Sequence, residues 1–199
     1  MKKIFLICPD FYDYKKIIIH ALKKKGVHVT CINERPRRWV YSFIKRILPK
    51  CFADFFYYYY FFYYKNISQY SDYDFILIRG EVLSERVLKK FRMLSQTKWV
   101  MYQWDSDLVC NFHDKIKYFD CVKSFDPVDC QKFKIELLPL FYLNKYEEFS
   151  LIPSFDIGYV GSYNHDRYSK LKLILTKLEK NGLSYRIHFY ISVFDYIKN

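Results

Sequence analysis

Asp74-Phe75-Ile76-Leu77-Ile78 runs into Arg79-Gly80-Glu81; Lys98-Trp99-Val100-Met101-Tyr102-Gln103 runs into Trp104-Asp105-Ser106-Asp107; Asp120-Cys121-Val122-Lys123 runs into Ser124-Phe125-Asp126-Pro127. Three short apolar runs thus each end in a polar cluster, with stretches long enough for a helix between them. That cadence is the signature of strands alternating with helices in a mostly parallel sheet. Ligands of such sheets bind outside the carboxyl ends of the strands, where all three clusters fall.

Working outward, Lys3 to Ile7 reads as a first strand and Tyr12 to Lys25 as a helix stopped at Gly26, a residue suited to the left-handed position after a helix. Val27 to Ile32 alternates as a second strand. The first loop, Cys8-Pro9-Asp10-Phe11-Tyr12, lacks the G-x-G-x-x-G turn, which disfavours a nicotinamide or flavin enzyme. Ile135 to Leu140 reads as a further strand, and residues 144–154 as a polar connector. A new β-α-β unit follows: Phe155 to Val160 as strand, Gly161-Ser162-Tyr163-Asn164 as loop, Asp166 to Lys180 as helix closed by Asn181-Gly182, and Tyr185 to Tyr190 as strand. The expected organisation is an α/β, Rossmann-like parallel-sheet domain over 1–143, the connector, and the incomplete start of a second Rossmann-like domain over 155–199.

The chain has 199 residues, half of them apolar, so a sizeable core can form. Its net charge of +12 points to an anionic partner, against the competing explanation that lysine is frequent in AT-rich coding sequence. Much of that charge lies in 35–65, where Arg35, Arg37, Arg38, Lys45, Arg46, Lys50 and Lys65 face the single acid Asp54. Trp39, Phe43 and Ile47 among them have helical spacing, as do Tyr41, Ile44 and Leu48, so one helix before Pro49 and another after it are expected. The aromatic run Phe52 to Tyr64 either covers a sheet face or lies at a membrane surface, whose contacts use basic and aromatic residues together. Six cysteines show no C-x-x-C pair and no histidine at zinc spacing. Cys8, Cys31 and Cys121 sit in or beside expected strands, as small buried hydrophobes do, and the six read as reduced thiols of a cytoplasmic protein. The first residues lack the apolar core of a signal peptide, and no run reaches the length of a spanning helix. Nothing resembles a motif that reads nucleic acid.

Each cluster has two readings. Arg79 suits bidentate contact with phosphate oxygens and Gly80 permits close backbone approach; the alternative is a surface Arg79–Glu81 pair. Asp105 and Asp107 point to one side of an extended backbone and could share a metal or divide acid and base roles; the alternative is helix capping, which also suits Asp126-Pro127. Gly161-Ser162, read as a strand-to-helix turn, presents backbone N–H groups to a phosphate. His20, His28, His113 and His188 show no partners and read as structural.

The order of Tyr73 to Glu81, Tyr102 to Ser106, Phe119 to Asp126, Leu138-Pro139-Leu140-Phe141-Tyr142 and Asp156 to Ser162 resembles a bacterial glycosyltransferase family of two-Rossmann, GT-B architecture. The family includes spore-maturation CgeB-like proteins and enzymes of polysaccharide or lipopolysaccharide biosynthesis. The resemblance implies an N-terminal domain that holds a glycan or lipid-linked acceptor and a C-terminal domain that holds a nucleotide-sugar. Transfer would need no metal or other cofactor, because helix dipoles and basic side chains stabilise the leaving diphosphate. Glu81, Asp105 and Asp126, in that order, become the candidate bases. Arg79, Gly80, Trp104 and Ser106 become acceptor-side binding residues, and Gly161 and Ser162 line the donor diphosphate. Segment 35–65 would face the inner surface of the cell membrane or a lipid-diphosphate acceptor. The donor domain is largely missing by ordinary domain sizes. The resemblance therefore implies a truncated chain or split half, inactive alone and completed by a separately encoded C-terminal half. A non-enzymatic basic α/β module binding an anionic membrane surface or partner is the alternative.

Overall fold

The computed structural model describes residues 1–11, 13–141, 154–163 and 165–190. It divides into two compact units, 1–141 and 142–199. The connector expected over 144–154 lies, Ser154 apart, outside the described residues, as does Asn164 of the expected loop.

The first unit is a six-stranded, wholly parallel sheet. Its strands are β1 (Lys3–Cys8), β2 (His28–Asn33), β3 (Asp74–Ile78), β4 (Trp99–Gln103), β5 (Cys121–Ser124) and β6 (Glu136–Leu137), in spatial order β2-β1-β3-β4-β5-β6. The chain moves outward from β1 to β2, returns across β1 to β3, and then continues to β6. The direction of winding therefore reverses between β1 and β3, and the crevice outside their carboxyl ends is the place where this architecture binds ligands.

Alternation along the strands divides the core between two faces. Phe5 and Ile7 of β1, Phe75 and Leu77 of β3, and Trp99 and Met101 of β4 point into one large cluster. That cluster is closed by α2 (Arg38–Ile47), α3 (Lys50–Tyr59), α4 (Glu85–Leu94) and the turns around them. Leu6, Cys8 and Ile78 point the other way, against Ile18 and Ile19 of α1 (Tyr14–Lys24). Burial pushes the Cys8 thiol up to about 12 and that of Cys31 to about 11, so both behave as small hydrophobes rather than nucleophiles. All six cysteines are free.

The expected stops hold. Gly26, at φ 74°, ends α1, with its N–H bonded to Lys23 O (2.9 Å) and Val27 N–H reaching Leu22 O (3.3 Å). Leu48, before Pro49, is extended at ψ 133° and separates α2 from α3. α3 runs on into a five-residue π-helical turn, Tyr60–Tyr64. Among the described residues no helix is long and apolar enough to cross a membrane.

Two expectations are corrected. The strand expected over Ile135 to Leu140 is only Glu136–Leu137, because Leu138 N–H makes the last ladder-side bond, to Ser124 O (2.8 Å), and Pro139 has no N–H to continue it. In the second unit, β7 (Ile157–Ser162) pairs in parallel with β8 (Tyr185–Tyr190) across α6 (His165–Lys180). Gly161 and Ser162 are consequently strand residues, opposite Phe189 and Tyr190, and not the turn. At Gly161 a Cβ would lie 2.5 Å from the Tyr159 hydroxyl, so a side chain there would have to push the Tyr159 ring aside.

Candidate functional site at the sheet switch point

Arg79 and Gly80 follow β3 with φ of 72° and 74°, two successive residues in the left-handed region. Gly80 N–H returns to Ile78 O (3.1 Å), closing a three-residue turn around Arg79. For arginine such a backbone costs about 1–2 kcal/mol, so neighbouring groups must hold it. Arg79 N–H donates to Tyr102 O (3.0 Å), buried Gln103 Nε2 donates to Arg79 O (2.7 Å), and the ammonium of buried Lys115 donates to Gly80 O. Burial draws the Lys115 ammonium down from its usual range. Strain held by buried donors is a frequent mark of a functional turn.

The turn aims its charges at a cluster assembled from four segments. Glu81 accepts from the Tyr41 hydroxyl (2.6 Å) and from Lys45 (3.0 Å), pairs with the Arg35 guanidinium, and lies 3.2 Å from Arg79 Nη2. Burial alone would raise the Glu81 carboxyl. The bonds from Tyr41 and Lys45 and the charge of Arg35 outweigh burial and hold it at about 2. Arg79 Nε is 2.6 Å from Asp105 Oδ2, a charge contact without the alignment of a hydrogen bond. Both guanidinium groups also face the Phe11 ring, at 5.6 Å for Arg35 and 5.2 Å for Arg79.

Beneath this layer sits Glu34, fully buried directly after β2. Its Oε1 accepts from Val82 N–H (2.8 Å), tying the end of β2 to the segment after β3, while its Oε2 has no partner among the described residues. Burial pushes this carboxyl up to about 7, against the Val82 bond and the charges of Lys115, Arg35 and Arg79.

Two clefts open on either side of the Arg35–Tyr41–Glu81 wall. One, of about 670 Å³, is lined by Tyr41, Lys45, Lys50, Glu81, Arg86 and Lys115 among others. The other, of about 650 Å³, lies outside the carboxyl ends of β1 and β2. Its polar lining includes Asp10, Arg35, Arg37 and Lys65, and its aromatic walls are Phe11, Tyr41, Tyr60 and Tyr64. Among the described residues Arg37 and Lys65 have no carboxylate within salt-bridge distance. Lys65 instead lies 5.0 Å over the Tyr64 ring.

The structure thus brings Arg79, Gly80, Glu81 and Asp105 together and separates the other first-unit candidates. Asp107 does not share a side with Asp105. The chain turns at Ser106, whose carbonyl accepts from Val109 and Cys110 N–H (both 2.9 Å). Asp107 is carried away, to accept from Phe112 N–H (3.0 Å) and His113 N–H (3.2 Å). His113, expected to lack a partner, places Nδ1 3.1 Å from the same carboxylate. Trp104 turns to the opposite side, packing against the cluster of Leu6, Cys8 and Ile78. Asp126 Oδ1 accepts from Val128 N–H (2.8 Å) and opens α5 (Pro127–Phe133) as its cap. Ser84, which precedes α4, makes no side-chain cap bond.

Gly80→Ala is expected to destabilise the unit by about 1–3 kcal/mol. The residue is left-handed, and the new Cβ would lie 2.7 Å from Leu77 Cδ2 in the core. Urea denaturation checks this; an unchanged midpoint would mean that the turn is not the constrained element described.

Comparison of the chain with protein-family models, curated proteins and solved structures yields no match.

Proposed function

We propose that the chain is a glycosyltransferase-related protein of cell-surface polysaccharide or lipopolysaccharide biosynthesis, which moves a sugar from a nucleotide-sugar to a glycan or lipid-linked acceptor. In this reading residues 1–141 form the acceptor side. The observation that supports it is the cleft beside the switch point, lined by Arg37 and Lys65 without carboxylate partners among the described residues and walled by aromatic rings, with Lys65 over Tyr60 and Tyr64. Arg37 and Lys65 suit the phosphate of a sugar-phosphate or lipid-phosphate acceptor. Tyr64, Tyr60 and Phe11 suit the apolar faces of sugar rings.

The carboxylates then divide by environment. A base that takes a hydroxyl proton works best with a pKa near the working pH. Glu81, held at about 2 by its cations, instead orders Arg35 and Lys45. Asp105 is engaged by Arg79 and Asp126 by its helix. Asp10, the carboxylate that lines the cleft, is likewise paired, 2.8 Å from Lys15, and this reading assigns the acceptor proton to none of these groups.

Calorimetric titration of the full chain with a sugar phosphate, the unphosphorylated sugar and a nucleotide-sugar tests the assignment. The sugar phosphate should bind and the unphosphorylated sugar should not. Arg37→Ala combined with Lys65→Ala should weaken binding about tenfold or more, since each lost charge-assisted bond is worth roughly 1.5–3 kcal/mol before solvent screening. Phosphate-independent binding, or an unchanged double variant, would contradict it. A chain that binds anions but gains no nucleotide-sugar affinity even when fused to a C-terminal half would favour the non-enzymatic basic module.

A further inference from the structure

α2 carries two apolar stripes. Val40, Ile44 and Leu48 turn inward onto the sheet core. Trp39, Phe43 and Ile47, spaced four residues apart on the adjoining face, are 71%, 51% and 63% exposed. Inward packing accounts for the first stripe and leaves the second unexplained. The feature continues in the next helix, where Phe52, Phe55 and Tyr59 are each more than half exposed, and into the π-helical turn, where Tyr63 stacks on Tyr59 at 4.9 Å. Scattered exposed apolar residues are ordinary; a concentration of large ones on consecutive helices marks an interaction surface.

Its chemistry selects the partner. Arg37, Arg46 and Lys50 are exposed on the same segment, Lys65 follows it, and 35–65 holds seven basic residues against one acid. A protein-binding helix face needs no such excess. A surface that inserts rings among acyl chains while its flanks meet lipid phosphates does need it. Tyrosine and tryptophan, each with an apolar body and a polar tip, suit that depth.

We infer that the outward face of α2, α3 and the following turn is an in-plane docking surface for an anionic phospholipid bilayer. Arg37, Tyr64 and Lys65 belong both to this segment and to the cleft beside the switch point, so docking brings the mouth of that cleft to the headgroup layer. The inference does not depend on sugar transfer being the activity.

Flotation of the full chain with vesicles of phosphatidylcholine, with and without phosphatidylglycerol, tests it without any acceptor present. The chain should float with the anionic vesicles, release as salt rises, and shift its tryptophan emission to the blue. Trp39 reports that shift, because Trp99 is fully buried and Trp104 is partly buried against the cluster of Leu6, Cys8 and Ile78, away from this face. Trp39→Ser, Phe43→Ser and Ile47→Ser combined should cut the bound fraction about tenfold while leaving the circular dichroism and sugar-phosphate binding unchanged. Lys50→Glu should weaken flotation with anionic vesicles. Failure of the wild-type chain to float at low salt would overturn the inference, as would full binding by the triple variant. Vesicle-free self-association abolished by the triple variant would also overturn it, assigning the face to a second copy.

Discussion

Glu81→Ala is expected to destabilise the protein by about 2–4 kcal/mol and to remove part of its acid sensitivity. Arg35, Arg79 and Lys45 all converge on this carboxylate, and the Arg79 side chain is only 12% exposed. Deleting the anion leaves like charges facing one another and the Tyr41 hydroxyl without its acceptor. The sign with pH comes from the shift. The Glu81 carboxyl sits at about 2 in the folded chain against an ordinary 4.5. Its stabilisation is therefore complete above pH 4.5 and is lost as pH falls toward 2. Chemical denaturation at several pH values should show wild type and variant far apart near neutrality and converging in acid. Curves that stay parallel through that window would mean that the cluster is not held together by the charge of Glu81.

Glu34→Gln is expected to do the opposite and stabilise the protein, by about 3 kcal/mol above pH 7. Here the folded value is raised, from 4.5 to about 7, by burial. The folded state favours the protonated carboxyl, so the contribution of Glu34 is full below pH 4.5 and is lost as pH rises through 7. Glutamine keeps an oxygen for the Val82 N–H and cannot ionise. Thermal melts of the two proteins should coincide near pH 4.5 and separate progressively toward alkaline pH, with the variant higher. A variant less stable at every pH would show that the charge of Glu34 is wanted, as a counter-ion to Lys115 and the two arginines. The stability contributions of Glu34 and Glu81 thus run in opposite senses with pH on two layers of one site, which places their joint optimum near pH 4.5.

The sheet was legible because its elements are written locally. A parallel strand buried on both faces needs a short apolar run, and Phe75 to Ile78 or Trp99 to Met101 supply one between polar borders. Gly26, Pro49 and Gly182 mark their stops through backbone chemistry that no tertiary contact overrides. The strand-end rule found the Arg79–Glu81 turn for the same reason. Applied to β2, it would also have drawn Glu34 and Arg35 into the site, but the basic composition of the adjoining segment, through Lys65, hid them. Nothing in the sequence near Glu34 distinguishes a buried carboxylate from a solvated one. Its burial depends on Val82 and Lys115, which only the fold brings near.

Asp105 and Asp107 show the complementary failure. Their spacing implies a common side only if the backbone is extended, and the turn at Ser106 is set by contacts of Asp107 with Phe112, His113 and the Asp129 carboxylate. Glycine suggests a turn at Gly161 and Ser162. Here glycine instead lets the Tyr159 ring pass close to the strand. In each case residue type was read correctly and backbone geometry was assumed.

Under the proposed function a phosphorylated ligand binds in the cleft outside β1 and β2, beside the charged wall at the switch point. Arginine side-chain NMR of the full chain, titrated with a sugar phosphate, tests it most directly. The Nε–Hε signals of Arg37 and Arg35 should move together and saturably, with Arg86 of the neighbouring cleft and Arg92 of the distant helix face unmoved. Movement centred on Arg86, or uniform small shifts across all arginines, would contradict it.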